Sequence, residues 1–138
     1  MAAVTNTFLS LLHLSPNPKA INISSGLASL TQFSNGKLLS TAVVAYSGSK
    51  AAPNSLTIEL QKTEDALKER GEGKGRGKVE FWAANPGHCK TAFNGYRGTK
   101  DLINGAEVAV QFVIGERGLW KRGGFWEFEE GGMREVPW

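Results

Sequence analysis

The sequence predicts an α/β domain built on a parallel sheet, on three observations. Short β-prone runs occur at Ile21 to Ile23, Lys78 to Ala84 and Gly123 to Phe128, each closed off by turn residues. Each run follows a segment whose apolar residues recur at three- and four-residue spacing, as on one face of a helix. The order is therefore helix, strand, helix, strand, helix, strand, which right-handed crossovers turn into parallel neighbours. At 138 residues the chain suits one folding unit with its own core, and residues 1–138 are read as a single domain.

Residues 3–14, AVTNTFLSLLHL, set Val4, Phe8, Leu11 and Leu12 on one helical face, and Pro16 and Pro18 end the helix. Ile21 and Ile23 form the first strand, which runs out into Ser24-Ser25-Gly26. From Leu27 to Val44 the residues are mostly small or polar, with Asn35-Gly36 as a turn signal, and are read as a loop over the carboxyl end of that strand. A helix over 43–69 follows, with Pro53 and Gly48 predicting a kink near 49–53.

Gly71, Gly73, Gly75 and Gly77 alternate with charged residues, so 71–78 reads as a flexible loop. It fits neither glycine pattern of a phosphate loop, because Arg76 and Lys78 stand where glycine is needed and no strand precedes it. KVEFWAA then meets the turn Asn85-Pro86-Gly87. Leu102 to Gly115 is the next helix, capped by Asp101 or Asn104, with Ala106, Val110 and Val113 on one side. The last strand is Gly123 to Phe128.

Composition narrows the partners. Sixteen basic against 13 acidic residues leave +3, too small a surplus for nucleic acid unless it is concentrated. The candidate stretch, Lys62 to Lys78, interleaves Glu64, Asp65, Glu69 and Glu72 and reads as a mixed, solvated run. Cys89 is the single cysteine, which excludes an intramolecular disulfide and suits a reducing cytosol. No apolar run approaches the length that spans a bilayer, and the amino terminus lacks the pattern of a signal peptide. The expectation is a soluble, cytoplasmic protein with no membrane or nucleic-acid partner. One cysteine and two histidines give no metal ligand set, so His88 and Cys89 are read as structural. The four tryptophans, Trp82, Trp120, Trp126 and Trp138, are read as core and interface.

The chemistry-bearing pattern is Tyr46 and Lys50, a Y-x-x-x-K pair one turn apart on a helix face. Three contexts raise its weight. Ser25 closes a strand in N-I-S-S-G, the helix opens A-Y-S-G-S-K-A-A, and the next strand ends N-P-G-H-C-K-T.

In these motifs the chain resembles the short-chain dehydrogenase/reductase family, over nearly its whole length. A strand-end serine matches Ser25, the Y-x-x-x-K matches Tyr46 and Lys50, and P-G-x-x-x-T matches Pro86, Gly87 and Thr91. F-N-G-Y-R-G-T, G-A-E-V-A-V and the terminal G-G-F-W-E-F…V-P-W look like the carbonyl-reductase-like branch. The resemblance implies an oxidoreductase using NADPH or NADH to reduce a small carbonyl compound or oxidise an alcohol. Hydride transfer to a carbonyl builds charge on oxygen that must be stabilised and protonated. A tyrosine with an ordinary pKa near ~10 is a poor acid at neutral pH. A lysine ammonium one turn away favours its phenolate. By resemblance Tyr46 is the proton donor or acceptor and Ser25 orients the substrate oxygen. Lys50 meets the nicotinamide ribose, and Pro86, Gly87, His88 and Thr91 hold the carboxamide end.

The same resemblance implies the carboxyl-terminal half of a doubly wound, Rossmann-like parallel sheet without its first βαβ units. A dinucleotide fold carries its glycine fingerprint in the first strand-turn-helix, and the 138 residues contain none. Asn6 stands too close to Ser25 to match the family's catalytic asparagine. Two function classes follow: an oxidoreductase inactive as this chain alone, or a catalytically inactive remnant acting as a dimerisation module. The implied pairing, homo- or heterodimeric, runs through residues 3–14 and 43–69. Substrate, cofactor choice and reaction direction stay open.

Overall fold

The computed structural model describes residues 2–36, 43–71 and 77–138. Its elements are α1 (Ala2–Leu12), β1 (Lys19–Ile23), α2 (Leu30–Ser34), α3 (Val44–Glu69), β2 (Glu80–Asn85), α4 (Leu102–Ile114), β3 (Phe125–Glu129) and β4 (Gly132–Glu135), with single 3₁₀ turns at Gly26–Ala28 and Ala92–Asn94.

One sheet of order β1-β2-β3-β4 holds every strand described. β1 and β2 run parallel from Lys19 opposite Glu80 to Ile23 opposite Ala84, and β2 and β3 run parallel from Ala83 opposite Phe125 to Asn85 opposite Glu127. The three expected strands are thus parallel neighbours. The fourth was not expected. β4 returns antiparallel to β3 through a tight turn in which Glu130 and Gly131 take φ of 54° and 79°. Two successive positive φ values are what a two-residue hairpin turn demands, and glycine supplies one without strain.

Both faces of the sheet are covered. On one, Trp82 stacks on Phe112 with ring centroids 4.7 Å apart, beside Ala84 and Val108 and ringed by Ile21, Trp120, Trp126, Phe128 and Met133. On the other, Ala83, Phe125 and Val136 pack together, and Trp138 stacks on Phe125 at 5.4 Å. All four tryptophans take part in this packing, the core role read for them from the sequence.

The buried stripe of α4 is Gly105, Val108 and Phe112, which corrects the expected Ala106, Val110 and Val113. Val113 is 63% exposed. The cause is Gly105: a Cβ there would collide with the Cys89 sulfur, so the bare backbone sets the closest approach and turns the helix toward it. Asp101 occupies the capping position but makes no side-chain cap bond. At the far end, Lys19 Nζ donates to the carbonyls of Phe112 (2.8 Å), Val113 (3.1 Å) and Gly115 (2.6 Å). A cation there satisfies orphan acceptors and meets the negative end of the helix dipole.

Helix α3 docks through polar residues. Asn54, Thr57, Gln61 and Glu64 are all buried and recur at helical spacing. Asn22 Nδ2 donates to Thr57 Oγ1 at 2.8 Å. Gln61 Oε1 accepts from Phe81 N at 2.9 Å, and Glu64 Oε2 accepts from Val79 N at 3.1 Å. β3 pairs with β2 only from Ala83 onward, so these buried amides would otherwise lack acceptors. The run from Lys62 is therefore not simply solvated, because Glu64 is a buried ligand for the sheet, held also by His13 Nε2 at 2.8 Å. The helix runs without interruption through Pro53.

Residues 27–44 are not a plain loop. Ser29 is buried, accepts from Gln32 N at 3.1 Å and donates to Pro137 O at 2.5 Å, and this cap starts α2. Residues 37–42 and the centre of the glycine-rich segment, 72–76, lie outside the described residues. No described helix is long and apolar enough to cross a membrane. α1 buries none of its residues, and Val4, Phe8 and Leu11 face outward.

Candidate active site

The site lies where parallel strands deliver their carboxyl ends, the place ligands take in open α/β sheets. After Ile23 the chain turns at Ser25, whose extended backbone starts the 3₁₀ turn and whose Oγ accepts from Leu27 N at 3.3 Å. Lys50 reaches the same strand end. Its Nζ donates to Ile23 O at 3.1 Å and stands 5.9 Å from the centroid of the Tyr46 ring. Tyr46 and Lys50 are each half-buried. The helical spacing read from the sequence thus places the ammonium beside the aromatic ring and on the carbonyl of Ile23, which precedes Ser25 by two positions in the chain.

The Tyr46 ring is also met by the loop after β2. Phe93 lies 6.1 Å from it, tilted by 40°. Phe93 itself is exposed. It sits in the 3₁₀ turn that follows Thr91, whose amide donates to Asn94 Oδ1 at 3.4 Å. Within this loop His88 is exposed, while Pro86, Gly87 and Thr91 are half-buried. Gly87 has φ of +80°, a conformation that favours glycine. The loop closes on itself where Lys90 N donates to Lys100 O at 2.8 Å and Thr99 N to His88 O at 2.9 Å. Gly98 permits that closure, since a Cβ on it would strike the Cys89 backbone.

Asn85 joins the two loops, and the sequence marked it only as part of a turn. Its Oδ1 accepts from Gly26 N at 2.8 Å and from Gly87 N at 3.0 Å, while its Nδ2 donates to Glu127 Oε2 at 2.8 Å. One buried amide therefore fixes the turn after Ser25 relative to the turn at Pro86-Gly87, and ties both to β3. Ser24 adds a second anchor: its Oγ donates to Asn54 Oδ1 at 2.6 Å, one helical turn beyond Lys50. Phe93 also escaped the sequence reading, since nothing in its pattern distinguishes it from any loop aromatic.

Among the described residues no group of three His, Cys, Asp or Glu side chains is placed to hold a metal ion. The nicotinamide end of a dinucleotide suits the residue types present, a lysine donor beside the Tyr46 ring and a positive-φ glycine in the turn after β2. Its pyrophosphate end does not, for the 138 residues contain no glycine fingerprint between a strand and a helix.

No family model matches the chain. It is 42% identical over 139 aligned residues to a short-chain dehydrogenase/reductase of Aspergillus fumigatus, an alignment covering 100% of this chain and 52% of that protein. Among solved structures it resembles the NADPH-bound carbonyl reductase from chicken fatty liver (TM-score 0.69, 21% identity, covering 99% of this chain and 52% of that one). The carbonyl reductase Sniffer of D. melanogaster gives a TM-score of 0.67 at 23% identity, over 98% of this chain and 51% of that one. Salutaridine reductase from Papaver somniferum gives 0.66 at 21%, over 90% and 50%. These structures share the fold, and the chain spans about half the length of each protein it matches. With 42% identity to the fungal protein along its whole length and the strand-end serine, Y-x-x-x-K and P-G-x-x-x-T in order, the chain belongs to the short-chain dehydrogenase/reductase family.

Proposed function

We propose that these residues form the proton-transfer and nicotinamide-side part of an NAD(P)(H)-dependent oxidoreductase interconverting a carbonyl and an alcohol. The observation that carries it is the Lys50 ammonium, 5.9 Å from the Tyr46 ring centroid at the carboxyl end of β1. Tyr46 donates a proton to the oxygen as charge grows on it, and accepts one in the reverse direction. Lys50 holds its ammonium beside the Tyr46 ring. Ser25 directs its hydroxyl to the same oxygen, and the turn at Pro86 to Thr91 borders the carboxamide end. A bound NADPH or NADH supplies the hydride. The setting is a reducing cytosol, where Cys89 stays a thiol.

The 138-residue chain alone holds the dinucleotide too weakly for turnover. Orienting two reactants is worth roughly 7 to 11 kcal/mol of barrier, and that advantage requires a cofactor held in register. The second reading, a module without activity of its own that pairs through α1 and α3, is supported by the outward apolar residues of α1. Fluorescence titration with NADPH and NADH tests the division. Residues 1–138 should not saturate at millimolar cofactor, and a chimera carrying the amino-terminal half of the fungal relative should bind and reduce carbonyl substrates. Tyr46→Phe in that chimera should abolish turnover while leaving cofactor binding intact. Turnover by residues 1–138, lost on Tyr46→Phe, would overturn the need for an amino-terminal half such as the fungal relative carries.

A further inference from the structure

Phe93 stands in water at the edge of the candidate site. It is 85% exposed, and the ring it meets is that of Tyr46, 6.1 Å away. An apolar ring left in solvent forgoes the free energy that burial in either core of the sheet would give.

The loop that carries this ring is nonetheless braced to keep it there. Cys89 and Lys100 pair in a parallel bridge, which closes residues 90–99 into a compact loop with adjoining ends. Inside the loop, Asn94 Oδ1 accepts from Thr91 N at 3.4 Å and its Nδ2 donates to Cys89 O at 2.8 Å, while Tyr96 N donates to Thr91 O at 2.8 Å. At its base, Lys100 Nζ reaches the end of β3, donating to Phe128 O at 2.5 Å and to Glu129 Oε1 at 2.8 Å. The chain after Phe93 passes through Gly95 and Tyr96 at φ of 63° and 58°. Among the described residues only Glu130 shares with Tyr96 a side chain at positive φ, and Glu130 lies in the β3–β4 turn, which demands it. For a bulky aromatic residue such a backbone is strained, and strain of this kind collects where ligands are clasped.

The surrounding chemistry narrows what the ring is for. Lys50 and Ser25 offer polar groups at the strand end, whereas Phe93 offers an apolar face beside Tyr46. Residues 86–100 contain His88, Lys90, Arg97 and Lys100 but no Asp or Glu, so the loop gives a cationic substituent no counter-charge. We propose that Phe93 is a specificity-determining residue of this site, packing its ring on a flat apolar substituent of the carbonyl substrate. The role rests on the oxidoreductase reading and assigns it a substrate class, aryl ketones and aryl aldehydes. Aromatic pairs of this kind gain beyond the area they bury, which is how one exposed ring discriminates.

Two methyl ketones test it, acetophenone and hydroxyacetone, which differ in a phenyl against a hydroxymethyl group. In an NMR titration of residues 1–138, acetophenone should shift the ring protons of Phe93 and Tyr46, hydroxyacetone should not, and Phe93→Ser should remove the shift at Tyr46. In the chimera with the fungal amino-terminal half, Phe93→Ser should lower kcat/KM for acetophenone relative to hydroxyacetone by at least about tenfold, through KM, and Phe93→Tyr should keep the ratio. Phe93 is exposed and the loop is braced by Thr91, Asn94 and Lys100, so these variants fold. A chimera that reduces no carbonyl at all overturns the oxidoreductase reading and this role with it. A chimera that reduces other carbonyls but not acetophenone, a ratio unmoved by Phe93→Ser, a loss in kcat equal for both ketones, or no shift at Phe93 up to the solubility of acetophenone would each overturn the role alone.

Discussion

The Ser24 hydroxyl donates to Asn54 Oδ1 at 2.6 Å, and both residues are buried. The bond pins the strand end that carries Ser25 to the helix that carries Tyr46 and Lys50. Asn54→Leu removes the acceptor and leaves the hydroxyl only the long bond to Lys50 O at 3.4 Å, which costs about 1 to 3 kcal/mol. Urea unfolding should show that loss as a lower midpoint with an unchanged slope. Ser24→Ala combined with Asn54→Leu should cost less than the sum of the two, since the pair is then removed together.

Asn85 holds two turns with one oxygen. Asn85→Ala leaves the amides of Gly26 and Gly87 and the Glu127 carboxylate without their partner, so a loss of about 1 to 3 kcal/mol is expected for the buried groups. Backbone resonances of Gly26 and Gly87 should shift together in the variant, while those of α4 stay in place. Independent movement of the two turns would contradict a shared anchor.

Phe112 tests the core. It is fully buried and stacked on Trp82 at 4.7 Å, so Phe112→Ala should cost about 3 to 5 kcal/mol. Val113→Ala, one residue on but exposed, should cost under about 0.5 kcal/mol. Equal costs would restore the other face of the helix as the buried one.

Asp65 gives the chain a small acid limb. Partial burial raises its pKa, but the hydrogen bond from Lys78, the charges of Arg122 and Lys78 and a bond from Gln61 together hold it below the ordinary carboxylate value. A depressed folded pKa means a contribution that is complete above the unfolded value, near ~3.9, and is lost as pH falls through the folded one. The carboxylate is 41% exposed, so screening limits its worth to under about 1 kcal/mol. Denaturation at pH 6 should show Asp65→Asn slightly less stable than the parent, and at pH 3 or below the gap should narrow.

The parallel strands were legible because β-branched and aromatic residues between proline and glycine turns leave few other readings, as in A-I-N-I-S and V-E-F-W-A-A. β4 was not, since Gly132-Met133-Arg134-Glu135 alternates nothing apolar and is defined by a turn and by Phe128 opposite Met133. The face of α4 was misread because apolar counting favours Val110 and Val113, whereas contact is set by the side chain that Gly105 lacks. The polar stripe of α3 looked solvated for the same kind of reason: Gln61 and Glu64 are buried by what their oxygens accept, and pattern alone does not show that. At the candidate site, the four-residue spacing of Tyr46 and Lys50 was enough to bring them together. Asn85 needed the fold, because its partners lie 59 and 2 residues away along the chain.

The position of β1 at the rim of the sheet has a consequence for the exchange of its amide hydrogens. Ser24 N donates to Ala84 O, so by alternation the amides of Ala20 and Asn22 also face β2, while those of Ile21 and Ile23 face outward. Deuterium uptake along five residues should therefore alternate slow and fast. The carbonyl of Ile23 faces outward as well, and there it is covered by Lys50 rather than by a strand. Any strand that added to this rim would take that carbonyl for its own ladder and release the ammonium of Lys50. Completion of the sheet and the freedom of the lysine beside Tyr46 are thereby coupled through a single backbone oxygen.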